Sequence, residues 1–287
     1  MPKDKYTSLW ISHSRLNDFL HCPRLYYLKN EYKDPKNNRK IQEVAPPLAL
    51  GTAVHEVLES LSLLPTKTRF VENLLPKFEI AWSKVSGKKG GFRDIETEFG
   101  YKQRGLAMLK RVNDHPGPLA SLSVKINMDL PYYWLDEEEN IILCGKIDWL
   151  EYLSDSDSVH IIDFKTSKSE EDPDSLQLPI YHLLASNCQK REVKQASYWY
   201  LENSDELTSK PLPNSKLAQD KILSIAKQIK LAKKLNRFKC PTSGCRYCQP
   251  YEAIVSGEAE YVGIGEFGQD LYLLDKTQND DREGSIL

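Results

Sequence analysis

An acid and a base two residues apart close the apolar run Val159-His-Ile-Ile-Asp163-Phe-Lys165. The run reads as a buried strand, and residues i and i+2 of a strand project from the same face. Asp163 and Lys165 therefore point together, as divalent-metal phosphodiester hydrolysis requires. The carboxylate holds the cation, and the amine stabilises charge or deprotonates the attacking water. Asp-x-Lys alone is common, and its weight comes from residues that could share the site. Asp148 lies in Cys144-Gly-Lys-Ile-Asp148-Trp-Leu-Glu151, a run otherwise suited to burial, where an unpaired carboxylate calls for a cation or several donors. His55 stands among Ala53, Val54, Val57 and Leu58 near the start of an apolar helix beginning about Gly51. A histidine so placed is either a hydrogen-bonded core residue or, if acids lie opposite, a ligand. Gln177 and Tyr181, four apart, share a helix face.

A second constellation is Cys240-Pro-Thr-Ser-Gly-Cys245-Arg-Tyr-Cys248. Three thiols so close, with Pro241 and Gly244 shaping the loop, form a strong metal-site signal. Cys22 precedes Pro23 at the joint between two helical pieces, a fixed place from which to offer a thiolate. Its blander reading is a small buried hydrophobe. In a reducing compartment this spacing favours a metal over disulfides. Cys144 and Cys188 are left over and read as buried.

The rest of the chain must position these groups. With 287 residues and 33.0 kDa it can bury a large core. Lys and Arg total 39 against 41 Asp and Glu, a net charge of -2, which excludes a wholly basic nucleic-acid coat but not a local basic groove. No apolar run reaches the roughly 20 residues that span a bilayer, and the N-terminus lacks an apolar signal segment, so a cytoplasmic protein is expected. Ser12 or Ser14 caps a first helix, and residues 33–47, with Lys33, Lys36, Arg39 and Lys40, read as a basic surface loop. Residues 67–115 are mostly helical, interrupted by Ser86-Gly-Lys-Lys-Gly-Gly. Period-two patterning predicts strands over Ser121–Trp134 and Ile141–Leu153, the second forming a hairpin with the Asp163 strand. Pro173 opens a helix to about Cys188, and a further strand runs from Val193 to Leu201. Lys216–Asn236 is an amphipathic helix with an apolar stripe and a basic one, Lys227, Lys230, Lys234 and Arg237. That basic stripe is either a solvated face or a phosphate track. From about Gly265, and acidic beyond Lys276, the chain reads as a peripheral or partly disordered tail.

In order, Gly51-x-x-x-His55, Gly145-x-x-Asp148, Asp163-x-Lys165 and Gln177-x-x-x-Tyr181 resemble the RecB-type branch of the PD-(D/E)XK nuclease superfamily. Cys22-Pro23 with Cys240, Cys245 and Cys248 is similar to its iron–sulfur subset, which includes the CRISPR-associated Cas-four nucleases and AddB-type helicase–nuclease subunits. The resemblance covers most of residues 12–255. It implies an α/β restriction-endonuclease-like core, a mixed sheet flanked by helices, with a helical insertion and iron–sulfur-stapled termini. By that resemblance His55, Asp148, Asp163 and the backbone carbonyl of Phe164 ligate Mg²⁺ or Mn²⁺. Lys165 acts on the water and the phosphorane, and Gln177 and Tyr181 brace the site or contact the DNA backbone. Hard oxygen ligands suit Mg²⁺ or Mn²⁺, while imidazole tilts preference toward Mn²⁺. An extra acid that some relatives carry before the Gly-x-x-Asp motif has no alignable counterpart in Ser123–Asp129. Structural zinc more often uses two Cys-x-x-Cys knuckles or histidines; four thiolates suit a [4Fe–4S] cluster, which the resemblance favours.

The implied organisation is an N-terminal segment, 1–47, supplying the first cysteine, then a core helix, 48–66, and a helical lobe, 67–117. The core sheet and motif helix occupy 118–205, the basic helix and cysteine loop 206–264, and the tail 265–287. The expected function is metal-dependent hydrolysis of DNA, as an exonuclease preferring single strands or ends, in repair, recombination or CRISPR adaptation. The rival is a catalytically silent iron–sulfur scaffolding subunit of such a complex.

Overall fold

The computed structural model describes residues 4–274; the acidic end expected beyond Lys276 lies outside them. The N-terminal part comprises β1 (Leu9–Ile11), α1 (His13–His21), α2 (Pro23–Tyr26), β2 (Ile41–Glu43) and α3 (Pro46–Ser60). Next come α4 (Leu74–Val85), α5 (Ile95–Asp114), β3 (Tyr132–Asp136), β4 (Ile141–Cys144), β5 (Trp149–Leu153) and β6 (Ser158–Lys165). Then follow α6 (Gln177–Cys188), β7 (Glu192–Tyr200), β8 (Thr208–Lys210), α7 (Ser215–Lys234), α8 (Gln249–Ser256), β9 (Glu260–Ile264) and β10 (Asp270–Leu273).

The sheet that matters most has the order β5-β6-β7-β8. In it β6 runs antiparallel to β5 and parallel to β7. All eight residues of β6 are buried, and its alternation divides the core. Val159 and Ile161 pack with α6 and α7, whereas Ile162 and Phe164 pack with α3, α4 and α5. A strand buried on both faces needs apolar residues throughout, so the acid and base at its C-terminal end are exceptions to its pattern. The mixed α/β architecture, a central sheet between helical layers, is the expected one. Two smaller sheets, β1-β4-β3 and β2-β10-β9, extend it.

Several boundaries differ from the expected ones. α3 starts at Pro46, not near Gly51, because Pro46 and Pro47 occupy its first turn, where a missing N–H is harmless and the fixed φ is already helical. The strand expected over Ser121–Trp134 is confined to Tyr132–Asp136. Upstream, the buried Arg69 guanidinium takes the carbonyls of Leu119 and Ser121 and the Ser123 hydroxyl, so a side chain occupies acceptors that a ladder would use. Ile141–Leu153 is two strands in two sheets, broken at Gly145–Asp148. The helix expected from Pro173 begins at Gln177. The expected tail contains β10, the middle strand of its sheet, paired with β2 and β9.

Candidate active site

The break between β4 and β5 places Asp148 immediately before β5, and the antiparallel register that pairs Trp149 with Ile162 carries Asp148 to the level of Asp163. Asp148 Oδ2 accepts a hydrogen bond of 2.9 Å from the Phe164 N–H. From the other layer, α3 brings His55 Nδ1 to 3.5 Å from the same oxygen. His55 also lies edge-on to the Phe164 ring, 6.1 Å between centroids, and the Phe164 carbonyl is near enough to strengthen its basicity. Its side chain keeps 24% of its surface, so the cluster is reachable from outside.

One turn further along α3 stands Glu59. Ligand atoms of His55, Glu59 and Asp148 lie within 4.8 Å of one another. Sequence reasoning missed Glu59 because it sought the additional acid on a strand. The signal was present in the spacing: positions i and i+4 of a helix share a face.

On the adjoining face, Lys165 Nζ is 2.9 Å from Asp163 Oδ2, 2.8 Å from Glu171 Oε2 and 2.6 Å from Gln177 Oε1. Gln177 completes a bridge, donating from Nε2 to Asp163 Oδ1 at 2.8 Å and to the Tyr181 hydroxyl at 3.3 Å. The expected shared face of Asp163 and Lys165 is thus realised, as is that of Gln177 and Tyr181. Glu171 left no sequence signal, since its approach depends on the path of the loop after β6. There its backbone N–H donates to the Tyr200 hydroxyl at 3.1 Å.

The electrostatics of this site call for a cation. Burial, reinforced by the Asp148 charge, pushes Asp163 up to about 8, with Lys165 opposing. Burial likewise pushes Asp148 up to about 7 against the Phe164 N–H. His55 is lowered by burial, opposed by Asp163. Burial works against the Lys165 charge, but Asp163 and Glu171 outweigh it and raise its proton affinity. Asp163 Oδ2, although close to Nζ, is buried without an aligned donor. Two buried carboxyls pushed toward neutrality and a neighbouring His/Glu/Asp triplet fit a divalent cation by both charge and donor type. They could hold one through His55, Glu59, Asp148 and Asp163.

The four expected thiols also meet: Cys22, Cys240, Cys245 and Cys248 lie with their sulfurs within 4.8 Å. Cys22 is the extended residue separating α1 from α2, and it packs with Cys248 and residues of α8 in a separate small core. Burial pushes the Cys248 thiol up to about 12, while hydrogen bonding from Thr242 brings Cys240 down to about 6. His21 stacks on Tyr247 at 4.2 Å, and Arg24 meets Glu252 at 2.5 and 3.0 Å. Cys144 is buried and Cys188 half-buried, away from this group. The basic stripe of α7 is divided. Lys227 and Lys230 lie 3.4 and 2.8 Å from Glu139, whereas Lys234 and Arg237 are exposed.

A buried acid–acid–lysine set on a central sheet, with an imidazole and a further carboxylate beside it, could hold a divalent cation next to an ammonium. The family profile of the PD-(D/E)XK nuclease superfamily matches residues 10–254, a span that contains every group described above, and the chain belongs to that superfamily. Its substrate class is accordingly nucleic acid. No curated protein matches the chain. No helix among the described residues is long and apolar enough to cross a membrane.

Proposed function

We propose that the chain is a deoxyribonuclease of the RecB-type branch, hydrolysing phosphodiesters of single-stranded DNA or DNA ends as an exonuclease in repair, recombination or CRISPR adaptation. The observation that carries this reading is the convergence of Asp163, Lys165 and Gln177 with Asp148, His55 and Glu59 at one end of β6. A silent scaffolding subunit would have no reason to keep so many buried charges together. A Mg²⁺ or Mn²⁺ held by these residues supplies Lewis acidity toward the phosphoryl group. Lys165, its proton affinity raised by Asp163 and Glu171, is suited to orient the water and stabilise developing negative charge. Gln177 fixes both Asp163 and Lys165, and Tyr181 in turn contacts Gln177, so these two position the acting groups.

At the cysteines we propose a [4Fe–4S] cluster clasping the two ends of the chain, supported by the four-thiolate set and by the one-plus-three spacing. A zinc reading has its own support. Two thiols, those of Cys245 and Cys248, are 3.7 Å apart, and a tetrahedral ion with bonds near 2.3 Å sets sulfurs about 3.8 Å apart. Absorbance near ~400 nm identifies the cluster, and a colourless protein containing zinc identifies the ion.

The test of activity is incubation with end-labelled single- and double-stranded DNA in Mg²⁺ or Mn²⁺. Wild type should release nucleotides progressively from ends, and Asp163→Ala should lose more than about 10³-fold in rate with its circular dichroism unchanged. Undiminished cleavage by a clean Asp163→Ala preparation sinks the site. A wild type that binds DNA but leaves it intact under every divalent metal favours the scaffold.

A further inference from the structure

Beside the cysteine core, a groove of about 640 Å³ is lined by Lys29, Lys33, Arg39 and Lys40 together with Tyr251 and Phe267. Two of its cations are anchored: Lys29 lies 2.7 Å from Asp18 and Arg39 lies 3.3 Å from Asp270. Both acids are buried, so these pairs fix the walls. Glu43 also lines the groove and is buried, with a partner of its own. Lys40 is half-buried amid the like charges of Arg15, Lys33 and Lys233. Its attractive neighbour Glu31 is already 2.7 Å from Lys233. Burial and repulsion both weaken its hold on a proton. Cations gathered in a concave, partly desolvated place focus their field and draw in an anion.

The aromatic at the rim adds a second requirement. Phe267, in the turn joining β9 to β10, is 89% exposed, yet its backbone is fixed. Its N–H donates to Gln269 Oε1 at 3.0 Å, and Gln269 donates to Gln42 at 2.8 Å. A bare ring on a braced turn above a basic groove is a platform for a flat partner, and nucleobases stack on such rings regardless of sequence. A base is free to do so only in an unpaired strand, and a volume in the small-ligand range admits a strand, not a duplex.

We propose that this groove is a holding track for a single-stranded DNA substrate: phosphates lie along Lys33 and Lys40, and a base stacks on Phe267. The inference rests on the nuclease reading and adds to it where the strand is held. It is tested by fluorescence anisotropy of labelled oligo(dT) with the intact protein in EDTA, where no cutting occurs. Lys33→Ala/Lys40→Ala should bind about tenfold more weakly, and the slope of log affinity against log salt should become shallower by about 1.4, as expected for two lost phosphate contacts to a single strand. Phe267→Ala should weaken oligo(dT) binding at least roughly fivefold, leave the salt slope unchanged, and make no difference on an abasic strand of equal length. Unchanged slope in the lysine variant, or polyglutamate competing as well as oligo(dT), overturns the track. Both variants replace exposed or half-exposed side chains, and circular dichroism checks that they fold. If wild type cuts single strands with Mn²⁺ while neither variant alters binding, the track fails and the nuclease stands; if wild type binds in this pattern but never cuts, the reverse holds.

Discussion

Two clusters of ligating side chains sit in opposite kinds of surroundings. The oxygen-and-imidazole group is built from the stiffest parts of the fold: β6 is buried along its whole length, α3 packs between the sheet and α4, and the register of β5 against β6 sets where Asp148 falls. The thiol group is built from chain ends, one sulfur from a joint between short helices and three from a loop, over a small core of its own. The first cluster could keep its shape without an ion but holds charge it would rather not have; Asp148 and Asp163 are both driven toward neutrality. The second holds little buried charge, and its segments are otherwise joined by a small core, the Arg24–Glu252 pair and the His21–Tyr247 stack. On the proposed reading, an ion in the first would serve chemistry and one in the second structure.

That contrast can be broken most directly at the thiols. Cys248→Ser should strip the bound metal, lower Tm on the order of 10 °C or more, and expose the segment around Cys22 to limited proteolysis, because a structural metal contributes its binding free energy to folding. Metal analysis and calorimetry check this, and a variant that loses its metal yet melts like wild type makes the two clusters alike. Next in size is Glu59→Ala. If Glu59 shares the catalytic cation, the Mn²⁺ concentration for half-maximal cleavage should rise about 10–100-fold with Tm little altered. An unchanged metal requirement leaves Glu59 a mere neighbour. Smaller again is Glu171→Gln, which removes one of the two carboxylates on Lys165. A fall of about tenfold in kcat with KM unaltered is expected if Glu171 positions the ammonium, and faster turnover would make the contact inhibitory instead.

How much of this was legible beforehand follows from the range of the interactions. Asp163 and Lys165 share a face because of strand geometry alone, so two residues sufficed to predict it. Three of the four thiols were legible from their spacing, Cys22 joined them only through the family resemblance, and the strand hairpin was legible from its turn. The β4–β5 break was not: it depends on Gly145 N–H reaching the Pro131 carbonyl and on Asp148 accepting from Phe164, contacts invisible in local patterning. The strand expected from Ser121 shrinks there to a single bridge, Ser123 against Glu151 of β5, flanked by carbonyls that Arg69, some fifty residues upstream, takes. The pairing of β10 with β2 spans more than two hundred residues, and a run of only four residues, Asp270–Leu273, is too short to stand out beside the polar stretch that follows it. Glu59 was local and could have been found; Glu171 could not, since a hydroxyl from β7 holds its loop.

The smallest effect isolates the charge imbalance itself. Asp148 and Asp163 have folded values raised from 3.8 to about 7 and about 8, so between those limits the native state binds more protons than the unfolded one. Stability from these groups is then fullest at low pH and is lost as pH rises through the folded values. His13 has the opposite sign, lowered to about 4 chiefly by burial, but its contribution changes only below the ordinary histidine value of 6.5. Between pH 6.5 and 8, with the cysteine centre loaded and free divalent ions chelated, Tm of wild type should therefore fall as pH rises. The slope should be gentle, a few degrees, at about 2–4 °C per kcal/mol. Asp148→Asn/Asp163→Asn should melt at nearly constant temperature across the window, and saturating Mn²⁺ should reverse the wild-type slope, because the cation binds the deprotonated ligands. Parallel curves for the two proteins without metal would mean that the buried carboxyls are already balanced by Lys165, and the difference between the two clusters would then lie in geometry alone.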